Sequence, residues 1–190
     1  MSIRNELLEQ ILAASGGGSG ASKGSNGIAD YNDTSTSASP IALVANTWTT
    51  IPNDGQGSFT NTAYLPKRDD GEQITRLMNT STGAFDFSEL SLGDNCFIRN
   101  DFTINPNINN SLLSLRYELG SGGGVYTLET IMGRLDSGSN QDYRFSLTPQ
   151  MIYMGDTNTK DNPIKLQVKL STNGTLVNAG TSIGVVRKLR

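Results

Sequence analysis

The sequence has no histidine and only one cysteine, Cys96. Without an imidazole there is no Ser-His-Asp triad, no Cys-His pair and no histidine metal site. A lone cysteine closes no internal disulfide and builds no zinc cluster. No apolar run approaches the ~20 residues that a membrane-spanning helix needs. Glu6, Glu9 and Gln10 interrupt the opening residues, so no secretory leader is expected there. Charge is sparse too, at 17% of residues with a net value of −3. That sign and density do not suit a phosphate-backbone binder. Neither nucleic acid nor membrane is therefore an expected partner, and no metal or cofactor is expected.

Hydrophobic residues make up 35% of the chain, below the roughly 45–50% of typical globular domains. Glycine, at 21 of 190 residues, and Ser, Thr and Asn fill the difference. A polar chain with little charge is not the usual disordered composition, which carries high net charge. It suits an all-β protein rich in turns. The length allows one substantial domain plus a tail. Taken together, the composition favours a structural or binding protein over an enzyme.

Three parts are expected along the chain: 1–14, 15–39 and 40–190. The first reads as a short helix, with Ser2 placed to cap its free amides. Ile3, Leu7, Leu8, Ile11 and Leu12 fall on one helical face, opposite Arg4, Glu6 and Glu9. A helix this short is marginal alone, so its apolar stripe needs a partner. The second part opens with Ser15-Gly16-Gly17-Gly18-Ser19-Gly20 and continues rich in Ser, Thr, Asn and Asp. Nothing in it patterns as a core, so it reads as a linker arm, with a reach on the order of 25–30 Å.

The third part carries period-2 alternation, the mark of half-buried strands. Cys96, Ile98, Phe102 and Ile104 share one face, with Arg99, Asp101 and Thr103 on the other. Leu113, Leu115, Tyr117 and Leu119 alternate with Ser114, Arg116 and Glu118. Ile164, Leu166, Val168 and Leu170 alternate with Lys165, Gln167 and Lys169. Tyr143, Phe145 and Leu147 repeat the pattern. Asn173-Gly174 predicts a type I′ hairpin between Ile164–Leu170 and Thr175–Asn178, since both residues accept positive φ. Roughly eight to ten strands without an internal helix predict an antiparallel β-sandwich of jelly-roll type.

Candidate chemistry is thin. Lys67-Arg68-Asp69-Asp70-Gly71-Glu72 clusters three carboxylates but lacks the alternating oxygens of a calcium loop. It reads as a solvated turn. Asp86, Glu89, Asp94 and Asp101 could be paired on paper as glycosidase carboxylates, but spacing in sequence fixes no separation. Gly120-Ser121-Gly122-Gly123-Gly124 lacks the Lys-Ser/Thr ending of a phosphate loop and reads as a strand connection. Cys96 reads as a small core hydrophobe. Trp48, between Thr47 and Thr49, reads as a core or subunit-interface aromatic. Arg187-Lys188-Leu189-Arg190 reads as a basic tail making an ionic contact or none.

Several segments have a more specific look. They are Ile41–Gly55, Phe59-Thr60-Asn61 with Tyr64-Leu65-Pro66, Phe85–Asp94, and Ile152–Asn158. Together they resemble the small jelly-roll virion proteins of tailed bacteriophages, of capsid decoration (cement) or head-fibre type. The Ile3–Leu8 stretch followed by glycines resembles the anchoring arm of such proteins. The resemblance implies a non-enzymatic homotrimer on the capsid surface, made in the host cytoplasm. Its arm residues Ile3, Leu7, Leu8, Ile11 and Leu12 would hold the major capsid protein. The alternative is a tail-fibre or receptor-binding tip, whose loops 120–124 and 155–162, with Tyr126 or Tyr153, would touch a host glycan. A carbohydrate-active enzyme and a TNF- or C1q-like ligand module are the remaining readings.

Overall fold

The computed structural model describes residues 24–55 and 64–188. The arm residues Ile3, Leu7, Leu8, Ile11 and Leu12 lie outside the described residues. Among the described residues are twelve strands: β1 (Gly27–Asn32), β2 (Ile41–Leu43), β3 (Thr49–Thr50), β4 (Met78–Asn79), β5 (Ala84–Phe85), β6 (Asn95–Pro106), β7 (Ser111–Leu119), β8 (Tyr126–Leu135), β9 (Tyr143–Ser146), β10 (Gln150–Tyr153), β11 (Lys165–Leu170) and β12 (Gly174–Val186). Sheet I runs β1-β12-β6-β10, with β2 also on β12 and β9 also on β6. Sheet II runs β3-β11-β7-β8, and β4-β5 form a small ribbon. All these pairings are antiparallel.

The pairing is nested. β7 pairs with β8, β6 with β9 and β10, β3 with β11, and β1 and β2 with β12. The chain is thus one long hairpin whose tip is the 120–124 loop. Rolling that hairpin brings β12 onto β6 and β11 onto β7. This is the jelly-roll form of the β-sandwich.

Alternation builds the core. Cys96, Ile98, Phe102 and Ile104 from β6 face Leu113, Leu115, Tyr117 and Leu119 from β7, and all are buried. Leu166, Val168 and Leu170 of β11 join them. Phe85 stacks near Phe87 at 6.1 Å and tilts against Tyr117 at 6.2 Å. Each such fully buried side chain contributes roughly 1.5–3 kcal/mol. Cys96 is fully buried and free, and burial pushes its thiol pKa up.

The structure corrects three expectations. The sandwich begins at Gly27, within the segment expected as linker. β1 pairs along its whole length with β12, and Ala29 enters the core. A Gly/Ser/Asn-rich stretch needs few inward side chains, here Ala29 and the partly buried Tyr31, when a long neighbouring strand supplies the ladder. Thr36 then closes a helical turn, Ser35–Ala38, and its backbone N–H and hydroxyl both donate to Asp33. A second turn, Thr157–Asp161, is capped by Asp156 accepting from the Thr159 N–H at 2.7 Å. Internal helix is therefore present, as single turns.

The third correction concerns Asn173-Gly174. β11 and β12 belong to different sheets, so the segment is a crossover and not a hairpin. Neither residue has positive φ. Gly174 is instead required for room: a Cβ there would lie 2.6 Å from the Asn105 carbonyl oxygen. Asn173 ties the crossover down, its side chain accepting from the Ala45 N–H at 2.9 Å.

β12 contains the one register shift in its ladder with β6, between Asn178 and Gly180. Before it the inward residues are even-numbered (Leu176, Asn178). After it they are odd-numbered (Thr181, Ile183, Val185). A single extra residue switches the facing parity, as a β-bulge must. Gly180 sits there at φ +142, and a Cβ would come within 2.7 Å of the Tyr31 carbonyl oxygen.

Candidate functional site

The surfaces available for recognition are the outer faces of the two sheets and the open edge between them. On sheet I, the registers align Ile28 of β1, Gly184 of β12, Phe97 of β6 and Met151 of β10 in one outward row. Ile28 is 51% exposed, Phe97 38% and Met151 51%. Gly184 has no atom within 4 Å of where its Cβ would sit, so the row dips between Ile28 and Phe97. One row nearer the strand end, Val186 and Tyr153 flank Asn95, both exposed. The next row inward is polar: Asp30, Ser182 and Arg99. Asp30 there accepts from Ser182 at 2.7 Å, and Arg99 pairs with Asp101 at 3.0 Å.

Sheet II carries an ionic row on its outer face, beside the exposed Ile131 of β8. Thr50, Gln167, Arg116 and Glu129 form one outward row. Gln167 accepts from Arg116 Nε at 2.7 Å and donates to Thr50 Oγ1 at 3.2 Å. Glu118 accepts from Lys165 at 2.9 Å and pairs with Arg116 at 3.3 Å. Trp48 is half-buried on this side and belongs to no strand. Both Arg116 and Lys169 lie 4.4 Å from its ring centroid. Its ring is therefore a cation-π platform already engaged, outside the hydrophobic core.

At the open edge, β8 and the β9–β10 connection border a cleft of about 260 Å³. Leu115, Tyr117, Met132, Leu147, Pro149 and Gln150 are among its walls. The Tyr117 hydroxyl is buried and, among the described residues, has no hydrogen-bond partner. Burial pushes its pKa up.

The carboxylates singled out in sequence are tied into loops, except Asp101, which lies in β6 and pairs with Arg99. Asp70 accepts from the Glu72 N–H at 2.9 Å across the expected turn at Gly71, which has φ +87. Among the described residues no three His, Cys, Asp or Glu groups come together as a metal site. For Asp86, burial works to raise the pKa, but hydrogen bonds from Ser88 and Arg76 outweigh it and hold the carboxyl below its usual value. Glu89 accepts from the Thr75 N–H and hydroxyl. The 120–124 loop joins β7 to β8 as expected, and Asn158 pins it. Asn158 donates to the Gly124 carbonyl at 2.8 Å and accepts from the Ser121 N–H at 3.2 Å.

The C-terminal basic stretch holds a feature that sequence reading left open. Arg187 is buried and pairs with the buried Asp94 at 2.7 Å. It also bonds Asp69 at 2.8 Å, the Lys67 carbonyl at 2.6 Å and Ser91 at 3.0 Å. Asp94 in turn accepts from the Ser91 and Lys188 N–H groups. The 67–72 turn is thereby fastened to the end of sheet I. No sequence signal distinguishes Arg187 from its neighbours Lys188 and Arg190, because its role depends on a partner 93 positions away.

No protein-family model matches the chain, and no curated protein matches it in sequence. Solved structures are similar to it at low identity. One is the structure of infectious bursal disease virus Gt strain, with a TM-score of 0.35 at 10% identity, covering 50% of this chain and 24% of that one. Another is infectious bursal disease virus Gx strain, at 0.41 and 8%, covering 88% and 33%. A third is PRD1 vertex protein P5, at 0.40 and 14%, covering 88% and 74%. The chain thus spans a third or less of the length of the two bursal disease virus chains.

Proposed function

We propose that this chain is a non-enzymatic structural protein of a bacteriophage virion, a capsid decoration (cement) or head-fibre protein. The observation that carries this reading is the nested, rolled-hairpin topology, an architecture shared by viral capsid and lectin domains. It is an argument from fold, joined to the sequence resemblance and to an amphipathic segment preceding the sandwich. In this reading the sandwich is a trimeric knob on the capsid surface. Residues 1–14 bury Ile3, Leu7, Leu8, Ile11 and Leu12 against the major capsid protein. Three arms on one knob act at high effective concentration, so modest single contacts sum to firm attachment. Arms that bridge capsid subunits also oppose outward pressure on the head.

The alternative, a tail-fibre or receptor-binding tip, would use exposed loop and strand-end tyrosines such as Tyr153 and Tyr126. Trp48 lends it little support, since two cations already hold that ring.

Cryo-electron microscopy of the intact virus, with head symmetry imposed and then relaxed, tests the reading. Density for the sandwich repeated over the icosahedral lattice is the expected result. Density only at the tail or portal vertex would move the chain to the fibre reading. Leu8→Asp is expected to lower head occupancy while leaving the thermal unfolding of the sandwich unchanged. Full occupancy by that variant would remove the arm from the attachment.

A further inference from the structure

The cleft between β8 and the β9–β10 connection is graded from dry to wet. Leu115, Tyr117 and Leu147 are buried at its floor, Met132 is half-buried on its wall, and Thr130 and Thr148 are exposed at its mouth. Leu115 and Thr130 are partners across β7 and β8. Leu147 follows β9, and its N–H donates to the Asn100 carbonyl of β6 at 3.1 Å. One wall thus belongs to sheet II and the other to the edge of sheet I. Tyr117 points inward from β7 into the layer between them. Its hydroxyl is the only polar side-chain atom of the three floor residues. It is buried and, among the described residues, has no partner.

We propose that this cleft is a binding site for a neutral small molecule, one with an apolar body and a carbonyl or similar acceptor that takes a hydrogen bond from the Tyr117 hydroxyl. The inference rests on the cleft alone and is independent of where the protein sits in a virion.

The lining sets that class. None of the lining residues is charged. An ion moved there would lose its hydration with no opposite charge to replace it, so the ligand is neutral. The floor is aliphatic and aromatic, which suits an apolar body held in place by a few polar groups. A buried hydroxyl without a partner carries a desolvation cost, and an acceptor on the ligand relieves it. Burial also raises the Tyr117 pKa, so the phenol keeps its proton and donates throughout the neutral range. Size follows from volume. The cleft measures about 260 Å³, and a cavity of about 150 Å³ holds benzene. In proportion, the ligand has roughly ten non-hydrogen atoms.

The consequence is a fastening between layers. A molecule seated there touches β8 of sheet II and the 147–150 segment of sheet I at once. It binds the folded chain alone, so it raises stability with the logarithm of its concentration.

The test uses the full chain and three probes. 1-Indanone has the required size and one carbonyl. Indane is the same skeleton without the carbonyl, and phenylacetate is a charged molecule of similar size. Methyl-labelled methionine supplies the reporters, Met132 in the cleft and Met151 on the outer face of sheet I. 1-Indanone is expected to shift the Met132 signal saturably, to leave Met151 unmoved and to raise the thermal midpoint. Indane is expected to bind more weakly, and phenylacetate not to bind. Tyr117→Phe is expected to weaken 1-indanone about fivefold to tenfold, as loss of one neutral hydrogen bond should, and to leave indane unchanged. Thr130→Trp, at the exposed mouth, is expected to abolish binding of both. Undiminished 1-indanone binding by Tyr117→Phe would overturn the proposal. So would phenylacetate binding as well as 1-indanone, or a Met132 signal that none of the probes moves.

Discussion

The two sheets of this sandwich differ at the heart of their inner faces: sheet I holds a bonded polar cluster, and sheet II a tyrosine hydroxyl without a partner among the described residues. Inside sheet I, Asn100, Asn178 and Thr181 are buried and every one has partners. Asn178 accepts from Asn100 at 3.1 Å and from the Gly180 N–H at 3.2 Å, and donates to the Pro52 carbonyl at 2.9 Å. Its own N–H donates to Thr36 Oγ1 at 2.7 Å. Inside sheet II, the Tyr117 hydroxyl is buried with no partner. The outer faces invert this order: sheet I shows water an apolar row, and sheet II an ionic ladder. The polar cluster in sheet I sits where β12 changes parity, so it completes the hydrogen bonding that the bulge disturbs. Sheet II has only a side-chain volume to fill at Tyr117, and the aromatic ring fills it against Phe85. Buried polarity accompanies the register change in sheet I, and the Tyr117 hydroxyl of sheet II has no such role.

The sharpest way to break sheet I is at its end. Arg187→Ala leaves Asp94 buried and unpaired and releases Asp69 and the Lys67 carbonyl. Removing one member of a buried ion pair costs about 3–5 kcal/mol, and chemical denaturation should show a loss of that size. Arg187→Met with Asp94→Asn, which removes both charges, should recover part of it. If the single variant loses under 1 kcal/mol, Arg187 is not the fastening. A smaller break is Asn178→Ala. It strands Asn100, the Gly180 N–H and the Pro52 carbonyl in a dry interior, at a cost of about 2–3 kcal/mol. Amide exchange should quicken first at Gly180, whose N–H donates to the Asn178 side chain. Uniform quickening across sheet II would assign Asn178 to general packing instead.

Much of this was legible in the sequence, and the limits are physical. Alternation in 96–104, 113–119 and 164–170 declares its strands because each repeats an apolar residue every second position over a long run. β1 does not, since Gly27, Asp30 and Asn32 bear no apolar pattern and only Ala29 and the partly buried Tyr31 reach the core. Its strand character is conferred by β12, which is distant in sequence. The Asn173-Gly174 signal misleads for a related reason. Local turn chemistry cannot tell a hairpin from a crossover between sheets, and here glycine answers a steric need. The apolar row is the clearest case of information held only in register. Ile28, Phe97 and Met151 are scattered singly along the chain, and pairing alone sets them side by side. Arg187 is legible as a charge but not as a buried one.

The smallest expected effect tests the other side of the comparison. Tyr117→Phe removes the orphan hydroxyl of sheet II and leaves the ring that packs on Phe85. An unpaired buried hydroxyl carries its desolvation penalty in the folded state alone, so its deletion should stabilise the fold by about 1 kcal/mol at neutral pH. The same substitution has a signature in pH. Burial raises the Tyr117 pKa above its ordinary 10.0, so the folded chain holds that proton more tightly than the unfolded one. The contribution to stability is fully present below pH 10 and is lost as pH rises beyond it. Cys96, raised from 9.0 by burial and then by the Asp94 charge, acts likewise from about pH 9, and Tyr31, raised by burial, from about pH 10. Wild-type protein should therefore lose stability steadily on the alkaline side. The Phe variant should lose it with a shallower slope above pH 10, while keeping the Cys96 and Tyr31 shares. An unchanged slope together with a loss at neutral pH would mean that the hydroxyl has a partner in solution, and the contrast between the two sheets would fall.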